Sequence, residues 1–375
     1  MARAAFIYES ALSQHVLRQD HPMRPARLRH TYQLLQAYGA FDDGESQLLA
    51  PRPATLEELG LLHTSEYITA VRGLSSGLSV PDAERFGFSA GGDNPIYDGM
   101  YEAALLSTGA TIMAAELVAS HQVDVVFNIS GGLHHAAPGH ASGFCIFNDP
   151  ALAIKYLLSL GLRVAYVDID AHHGDGVQNA FLDDNRVLTI SIHESGRYLF
   201  PGTGFVDETG TAPAVGYSVN LPLYPYTEDE VYLQAFQEVV PPLLAAFAPD
   251  ILVTQLGIDS YHADPLTHLQ VTSRGFVEAV RFFSGLALPW LALGGGGYDL
   301  GAVARCWSLA YGVMVDAEWP DTIPEELSQV LRSTQLRDTV KLEIPEDVRL
   351  EARRLAEEGV AAIKKEVFPL FGIRG

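Results

Sequence analysis

The chain has 375 residues, 48% of them hydrophobic and 19% charged, a globular composition with enough apolar material for a large buried core. Its formal net charge of −22 argues against a nucleic-acid partner, because phosphate binding needs a basic surface. The same charge would draw cationic substrates at long range, although solubility alone is the simpler account of it. In chain order, the opening segment MARAAFIYES holds an apolar stretch too short for a signal peptide and broken by Glu9. No later run approaches the length needed to span a membrane, so no membrane partner is expected. Gly73 to Asp98 is rich in Gly, Ser, Pro and Asp and reads as a long surface loop. Short apolar runs at Val123–Ile129, Arg163–Ile169, Val187–Ile192, Asp250–Leu256 and Trp290–Leu293 read as buried strands. Helical patterns alternate with them over Asn148–Leu160, Glu228–Phe247, Arg274–Leu286 and Gly301–Val313. This alternation predicts an α/β fold, a parallel sheet with helices on both faces. The region after about Pro320 is charged and helical, and reads as an extension (320–375) of a single domain over 1–375. The two cysteines, Cys145 and Cys306, lie in apolar contexts and suggest no disulfide framework, which fits a reducing, cytoplasmic compartment.

The densest chemical signal follows the second of these strands: Tyr166-Val-Asp168-Ile-Asp170-Ala-His172-His173-Gly-Asp175-Gly. Asp168 and Asp170 share one side of an extended chain, since the side-chain period is two. Three carboxylates and two imidazoles so close together need a cation or several hydrogen bonds to neutralise them. Asp and His together suit zinc or a similar divalent metal. A hydrogen-bonded turn capping the next helix is the plainer alternative for a single Asp-x-His, but not for this density. Asp259, which follows the strand ending near Leu256, is placed to complete a three-ligand set with Asp170 and His172. Three ligands leave positions open for water and substrate. Asp264, before Pro265, reads as a turn or supporting residue.

Ser130-Gly-Gly-Leu-His134-His135 also follows a strand. Adjacent histidines can act as an acid/base pair beside an activated water, with Asp168 and Asp175 available to orient them. Metal ligands or satisfied core histidines are the alternatives. The run Gly294–Gly297 lacks the spacing and the Lys of a phosphate loop. Its glycines let the backbone crowd a site, leaving Tyr298 as a candidate hydroxyl donor to an oxyanion.

At these segments the sequence resembles the histone-deacetylase superfamily, in particular its bacterial acetoin-utilization branch. The resemblance runs from about His21 to about Trp307. It includes His21-Pro-Met-Arg-Pro-Ala-Arg27, Gly92-Asp93-Asn-Pro, Ser107-Thr-Gly, Gly131–His135 and Gly143-Phe-Cys-Ile-Phe-Asn148. It continues through Asp168–Gly176, Phe200-Pro-Gly-Thr-Gly204, Gly294–Tyr298 and Ala304-Arg-Cys-Trp307. The resemblance implies an open α/β fold related to arginase, with a parallel sheet of about eight strands. It implies a zinc-dependent deacetylase, iron(II) being the other candidate metal, with Asp170, His172 and Asp259 as ligands. By similarity His135 is general base and then acid, His134 assists electrostatically, Asp168 orients His134 and Asp175 orients His135. Tyr298 would polarise the acetamide carbonyl, and Gly143, Phe144 and Phe200 would wall a tunnel for an acyl-lysine stem. Asp93 would bind substrate backbone at the rim, and Arg27 would lie beside an internal channel for acetate. A structural potassium ion would be held by Asp168, Asp170, His172 and Ser191, largely through backbone oxygens. The expected substrate is acetyl-lysine in a protein or peptide, with acyl-CoA synthetases of acetoin and acetate metabolism as the expected example. The oligomeric state is not readable from the sequence.

Three rival readings are distinguishable. A two-manganese ureohydrolase shares the fold but needs carboxylates where this chain has Leu133 and Gly174. An acetylpolyamine amidohydrolase would run the same chemistry on a small cation. A non-catalytic acyl-binding scaffold would lack a ligand, the base or the tyrosine, and none is missing. Tyr224, Tyr226, His262 and His268 carry no assigned role; the two histidines lie in a tract that resembles the acetoin-utilization branch.

Overall fold

Among the described residues, eight short strands build the sheet: β1 (Ala4–Ile7), β2 (Ser46–Leu49), β3 (Val125–Asn128), β4 (Val164–Asp168), β5 (Val187–Glu194), β6 (Ser218–Leu223), β7 (Ile251–Gln255) and β8 (Trp290–Leu293). In the computed structural model, which describes residues 3–42, 44 and 46–374, their order is β2-β1-β3-β8-β7-β4-β5-β6 and every pairing is parallel. Parallel neighbours cannot be joined by tight hairpins, so crossover segments run over the faces. The helices are α1 (Ala26–Ala37), α2 (Leu56–Leu59), α3 (Ser65–Ser75), α4 (Met100–Ala119), α5 (Asp149–Ser159), α6 (Asp175–Ala180), α7 (Asp229–Phe247), α8 (Ser273–Ser284), α9 (Leu300–Met314), α10 (Glu325–Leu331) and α11 (Glu346–Glu366).

Strand alternation sorts the core onto two faces. Phe6, Phe127, Val167, Ile190 and Leu252 pack with α1, α7, α8, α9 and α11. Ile7, Val126, Tyr166, Val253 and Leu291 pack with α4, α5 and α6. Each such large apolar side chain contributes about 1.5–3 kcal/mol by leaving water. α11, in the charged C-terminal region, lays Ala356, Val360 and Ile363 against this core, beside β6 and α7.

Several expectations need correction. β1, β2 and β6 were not foreseen. β1 and β2 have only four residues each, and β6 contains Pro222, which argues against a central strand. β6 is in fact the last strand of the sheet, where proline is tolerated. The stretch Gly73 to Asp98 is less of a surface loop than its composition suggests. α3 runs into it as far as Ser75, and Phe86 and Phe88 are buried in a third apolar cluster with Tyr67 and Phe147. Among the described residues one helix, α4, is long and apolar enough by length and composition to cross a membrane, contrary to the sequence reading. Here it is a core helix, with Ala110, Ala114, Ala115 and Val118 packed against the sheet.

A candidate metal centre with an adjoining histidine pair

β3, β8, β7 and β4 are consecutive in the sheet, and the segments leaving their carboxyl ends converge. This is where ligands gather in parallel α/β sheets. β4 ends on Asp168, level with Gln255 of β7, which is level with Leu293 of β8. Asp170, His172 and Asp259 follow these ends and bring one ligand atom each within 4.8 Å of one another, all buried. His172 Nδ1 lies 3.1 Å from Asp170 Oδ1 and 2.9 Å from Asp259 Oδ2. Burial and the neighbouring Asp170 push Asp259 up to about 6. Asp170 is buried too, but His134 and His172 hold it well below the usual carboxylate range. Burial works against charge on His172, yet Asp259 and Asp170 keep its imidazole well above the ordinary value.

Neighbouring donors fix both carboxylates. Asp170 Oδ2 accepts from Gln255 Nε2 at 2.6 Å and from the Gly296 N–H at 2.7 Å, and Asp259 Oδ1 accepts from the Ala171 N–H at 2.7 Å. The glycine run makes this approach possible. A Cβ on Gly296 would collide with Asp259 Oδ2, and one on Gly295, at φ +120°, would collide with the Gln255 amide.

The histidine pair lies alongside. Asn148 holds its turn, donating through Nδ2 to the carbonyls of His134 and Ala136 at 3.1 and 2.9 Å. Asp149, fully buried, accepts from the N–H groups of Gly132 and Leu133 at 3.0 and 2.8 Å. His134 Nδ1 donates to Asp168 Oδ2 at 2.8 Å, and Tyr166 donates to the same oxygen at 2.6 Å. His135 Nδ1 donates to Asp175 Oδ1 at 2.7 Å. The two Nε2 atoms are 2.9 Å apart. Burial opposes charge on His134, but Asp168, Asp170 and Asp175 raise it to about 9. Burial and then the charge of His134 outweigh the Asp175 bond and lower His135 to about 4. The pair is therefore asymmetric: His134 carries the extra proton, and its Nε2 faces the unprotonated Nε2 of His135.

The Tyr298 N–H donates to Asp264 Oδ2 at 2.7 Å, and its ring meets Phe144 edge to face at 5.7 Å. Burial, with Asp259 and Asp170 nearby, pushes the Tyr298 phenol well up, so it keeps its proton. Phe200 packs edge to face on His135 at 5.0 Å, and Gly143 leaves room for this contact. Phe144 touches His21 at 4.6 Å, and His21 Nε2 lies 3.1 Å from the carbonyl of Asp93, an exposed residue. Buried Arg27 donates to the carbonyls of Gly295 and Gly297 at 2.6 and 3.2 Å. It borders a cavity of about 110 Å³ shared with Ser107, Ser130, Leu133 and Phe144. Ser191 is on β5, level with Asp168, 2.8 Å from His193 Nδ1 through its hydroxyl. His173 is not brought to the cluster; it bonds Thr203 and Gln178 instead. Sequence reasoning gave no role to Gln255, Asn148, Asp149 or Tyr166, and left Asp264 only as a turn or supporting residue. Their partners lie 2–85 residues away, so only the position of each just beside a motif could have drawn attention to them.

The parallel sheet and buried Asp/His/Asp cluster belong to a known class: residues 21–314 match the histone deacetylase domain, and the chain belongs to that family of hydrolases. It is 43% identical over 334 residues to the acetoin utilization protein AcuC of Bacillus subtilis (strain 168), covering 87% of this chain and 86% of that one. It is 38% identical over 323 residues to histone deacetylase 1 of Homo sapiens, covering 86% of this chain and 66% of the human protein. The crystal structure of an HDAC homologue from Aquifex aeolicus superimposes with a TM-score of 0.86 at 30% identity, over 96% of this chain and 100% of that one. An HDAC homologue complexed with SAHA gives 0.87 at the same identity and coverage. The fold is thus the one shared by deacetylases and arginase.

Proposed function

We propose that the protein is a metal-dependent protein lysine deacetylase that hydrolyses the acetyl amide of acetyl-lysine. The observation that carries this reading is the asymmetric His134–His135 pair set beside the Asp170–His172–Asp259 cluster. Two carboxylates and one imidazole, buried and held by other donors, suit a single zinc or iron(II) ion. Leu133 and Gly174 offer no side-chain ligand for a second metal, which disfavours a two-manganese ureohydrolase. A backbone-lined potassium site at Asp168, Asp170, His172 and Ser191 belongs to the same proposal.

When bound, the divalent ion acts as a Lewis acid toward the carbonyl and the attacking water. The chain's own groups move the protons. His135 Nε2 takes a proton from that water, while Asp175 fixes the tautomer. The Tyr298 phenol donates to the carbonyl oxygen as it gains negative charge. His135 then returns the proton to the departing amine, a poor leaving group without it. His134, kept as an imidazolium by Asp168, stabilises the developing negative charge. Gly143, Phe144 and Phe200 wall the passage for the acyl-lysine stem, Asp93 binds substrate backbone at the rim, and Arg27 lies beside the exit cavity for acetate. A flat, neutral acetamide suits such walls, whereas free lysine would resist desolvation there.

The natural target we propose is an acetylated acyl-CoA synthetase of acetoin or acetate metabolism in the cytoplasm. The similarity to a protein named for acetoin utilization supports it. The test is acetate release from acetyl-lysine peptides, longer acyl-lysine peptides and acetylspermidine by chelated enzyme reloaded with zinc or iron(II). Turnover of the acetyl-lysine peptides with either metal is expected. Turnover of acetylspermidine alone would replace this reading with that of an acetylpolyamine amidohydrolase.

A further inference from the structure

The carboxyl edge of the sheet carries an aromatic patch for which the proposed chemistry has no use. Tyr198, just beyond β5, packs edge to face on Tyr224 at 5.4 Å. Two residues further on, the Tyr226 ring lies 6.4 Å from that of His268. Tyr226 is 46% exposed, and the His268 side chain 52%. Phe200, two residues beyond Tyr198 in the chain, is the ring that touches His135.

Two costly features support this exposed pair. Tyr226 has φ +68°, a left-handed conformation that bulky side chains adopt only under strain. Its N–H donates to the His268 carbonyl at 2.8 Å, which holds it there. Beneath them, Glu194 has a fully buried side chain, and its two oxygens accept from His268 N–H at 2.8 Å and from His268 Nδ1 at 2.9 Å. Burying a carboxylate is expensive unless it is well bonded. Here its bonds orient an imidazole on the surface. With Nδ1 bonded inward to Glu194, the ring turns its Nε2 edge away from that carboxylate.

We infer that Tyr226 and His268 are specificity-determining residues that receive a basic side chain flanking the acyl-lysine of the substrate, an inference that rests on the deacetylase reading. A tyrosine face attracts a guanidinium or ammonium and disfavours a carboxylate. The net charge of −22 draws basic segments in the same sense. The patch is also tied to the cluster. Thr267 Oγ1 donates to the Asp259 carbonyl, and the Glu194 N–H donates to the Ala171 carbonyl at 2.9 Å. The subsite therefore stands at a fixed distance from the reacting amide.

The experiment compares kcat/KM for acetyl-lysine peptides carrying Arg, Ala or Glu beside the acetyl-lysine, with a minimal acetyl-lysine amide as reference. The wild type is expected to prefer Arg over Ala by roughly two- to fivefold, the scale of an exposed cation–π contact. Tyr226→Gly should retain the melting temperature, because glycine accepts the backbone angle, and should lose the preference; Tyr226→Phe should keep it. His268→Ala should weaken it. An unchanged Arg-to-Ala ratio in Tyr226→Gly, or a wild type indifferent to the flanking residue, would overturn the subsite while leaving the deacetylase reading intact. A wild type that cleaves not even the minimal amide overturns both.

Discussion

His134 Nε2 lies 2.9 Å from His135 Nε2, and each ring bonds an aspartate through Nδ1. Only one of the facing nitrogens can carry a proton in this contact, and the carboxylates around His134 place it there. With His134 at about 9 and His135 at about 4, kcat/KM should plateau between these values as a coupled pair. Activity is lost on the acid side as His135 gains a proton and on the alkaline side as His134 loses one. Asp168→Asn removes a carboxylate that raises His134, so the alkaline limb should move to lower pH. A pH–rate profile at saturating metal checks this, and an unmoved limb would contradict it.

The same asymmetry ranks two substitutions. His135→Ala removes the proton carrier and should lower kcat by ~10²–10⁴. His134→Ala should cost less, because it removes only a supporting charge. The reverse order in single-turnover measurements would exchange their roles.

Tyr298→Phe deletes one hydroxyl from a ring that Phe144 continues to hold. Loss of an oxyanion donor is worth about 10²–10³ in kcat. Metal content should be unchanged, as elemental analysis would show. Full turnover by this variant would remove Tyr298 from the chemistry.

The cluster of Asp170, His172 and Asp259 holds a proton on His172 that a cation must displace. Zinc binding to chelated protein at pH 7 should therefore release about one proton, and apparent affinity should rise with pH. Calorimetry in buffers of different ionisation enthalpy reads this directly. Asp259→Asn should retain less metal; full occupancy would argue against Asp259 as a ligand.

Asp149 bonds the buried Gly132 N–H, the partly buried Leu133 N–H and the Thr111 hydroxyl. Asp149→Ala leaves those donors unpaired and should cost roughly 2–4 kcal/mol in urea unfolding. The turn carrying His134 should loosen with it.

The central sheet and the chemistry at its edge were both legible, for a common reason. Strands such as Val164–Asp168 and Ile251–Gln255 are continuous apolar runs, and each is followed at once by carboxylates or histidines. The outer strands were not. Ser46–Leu49 exposes two of its four residues, and Ser218–Leu223 contains a proline that only an edge position tolerates. α4 escaped notice because it is apolar nearly all round and shows no single stripe. Within the site, charged ligands announce themselves by type. Gln255 and Asn148 do not, because an amide acquires its role only from partners that the fold supplies.

The guanidinium of Arg27 reaches the carbonyls of Gly295 and Gly297, 268 and 270 residues further along the chain. During synthesis, the acceptors for this buried charge are therefore made only after 268 further residues. Asp259 is made earlier, but the glycine run that presses against it arrives with the same late segment. The centre can thus be completed only once the glycine run has been made. Nascent chains ending before residue 290 should fail to retain metal in a pull-down of stalled ribosomes, however well their first strands have paired.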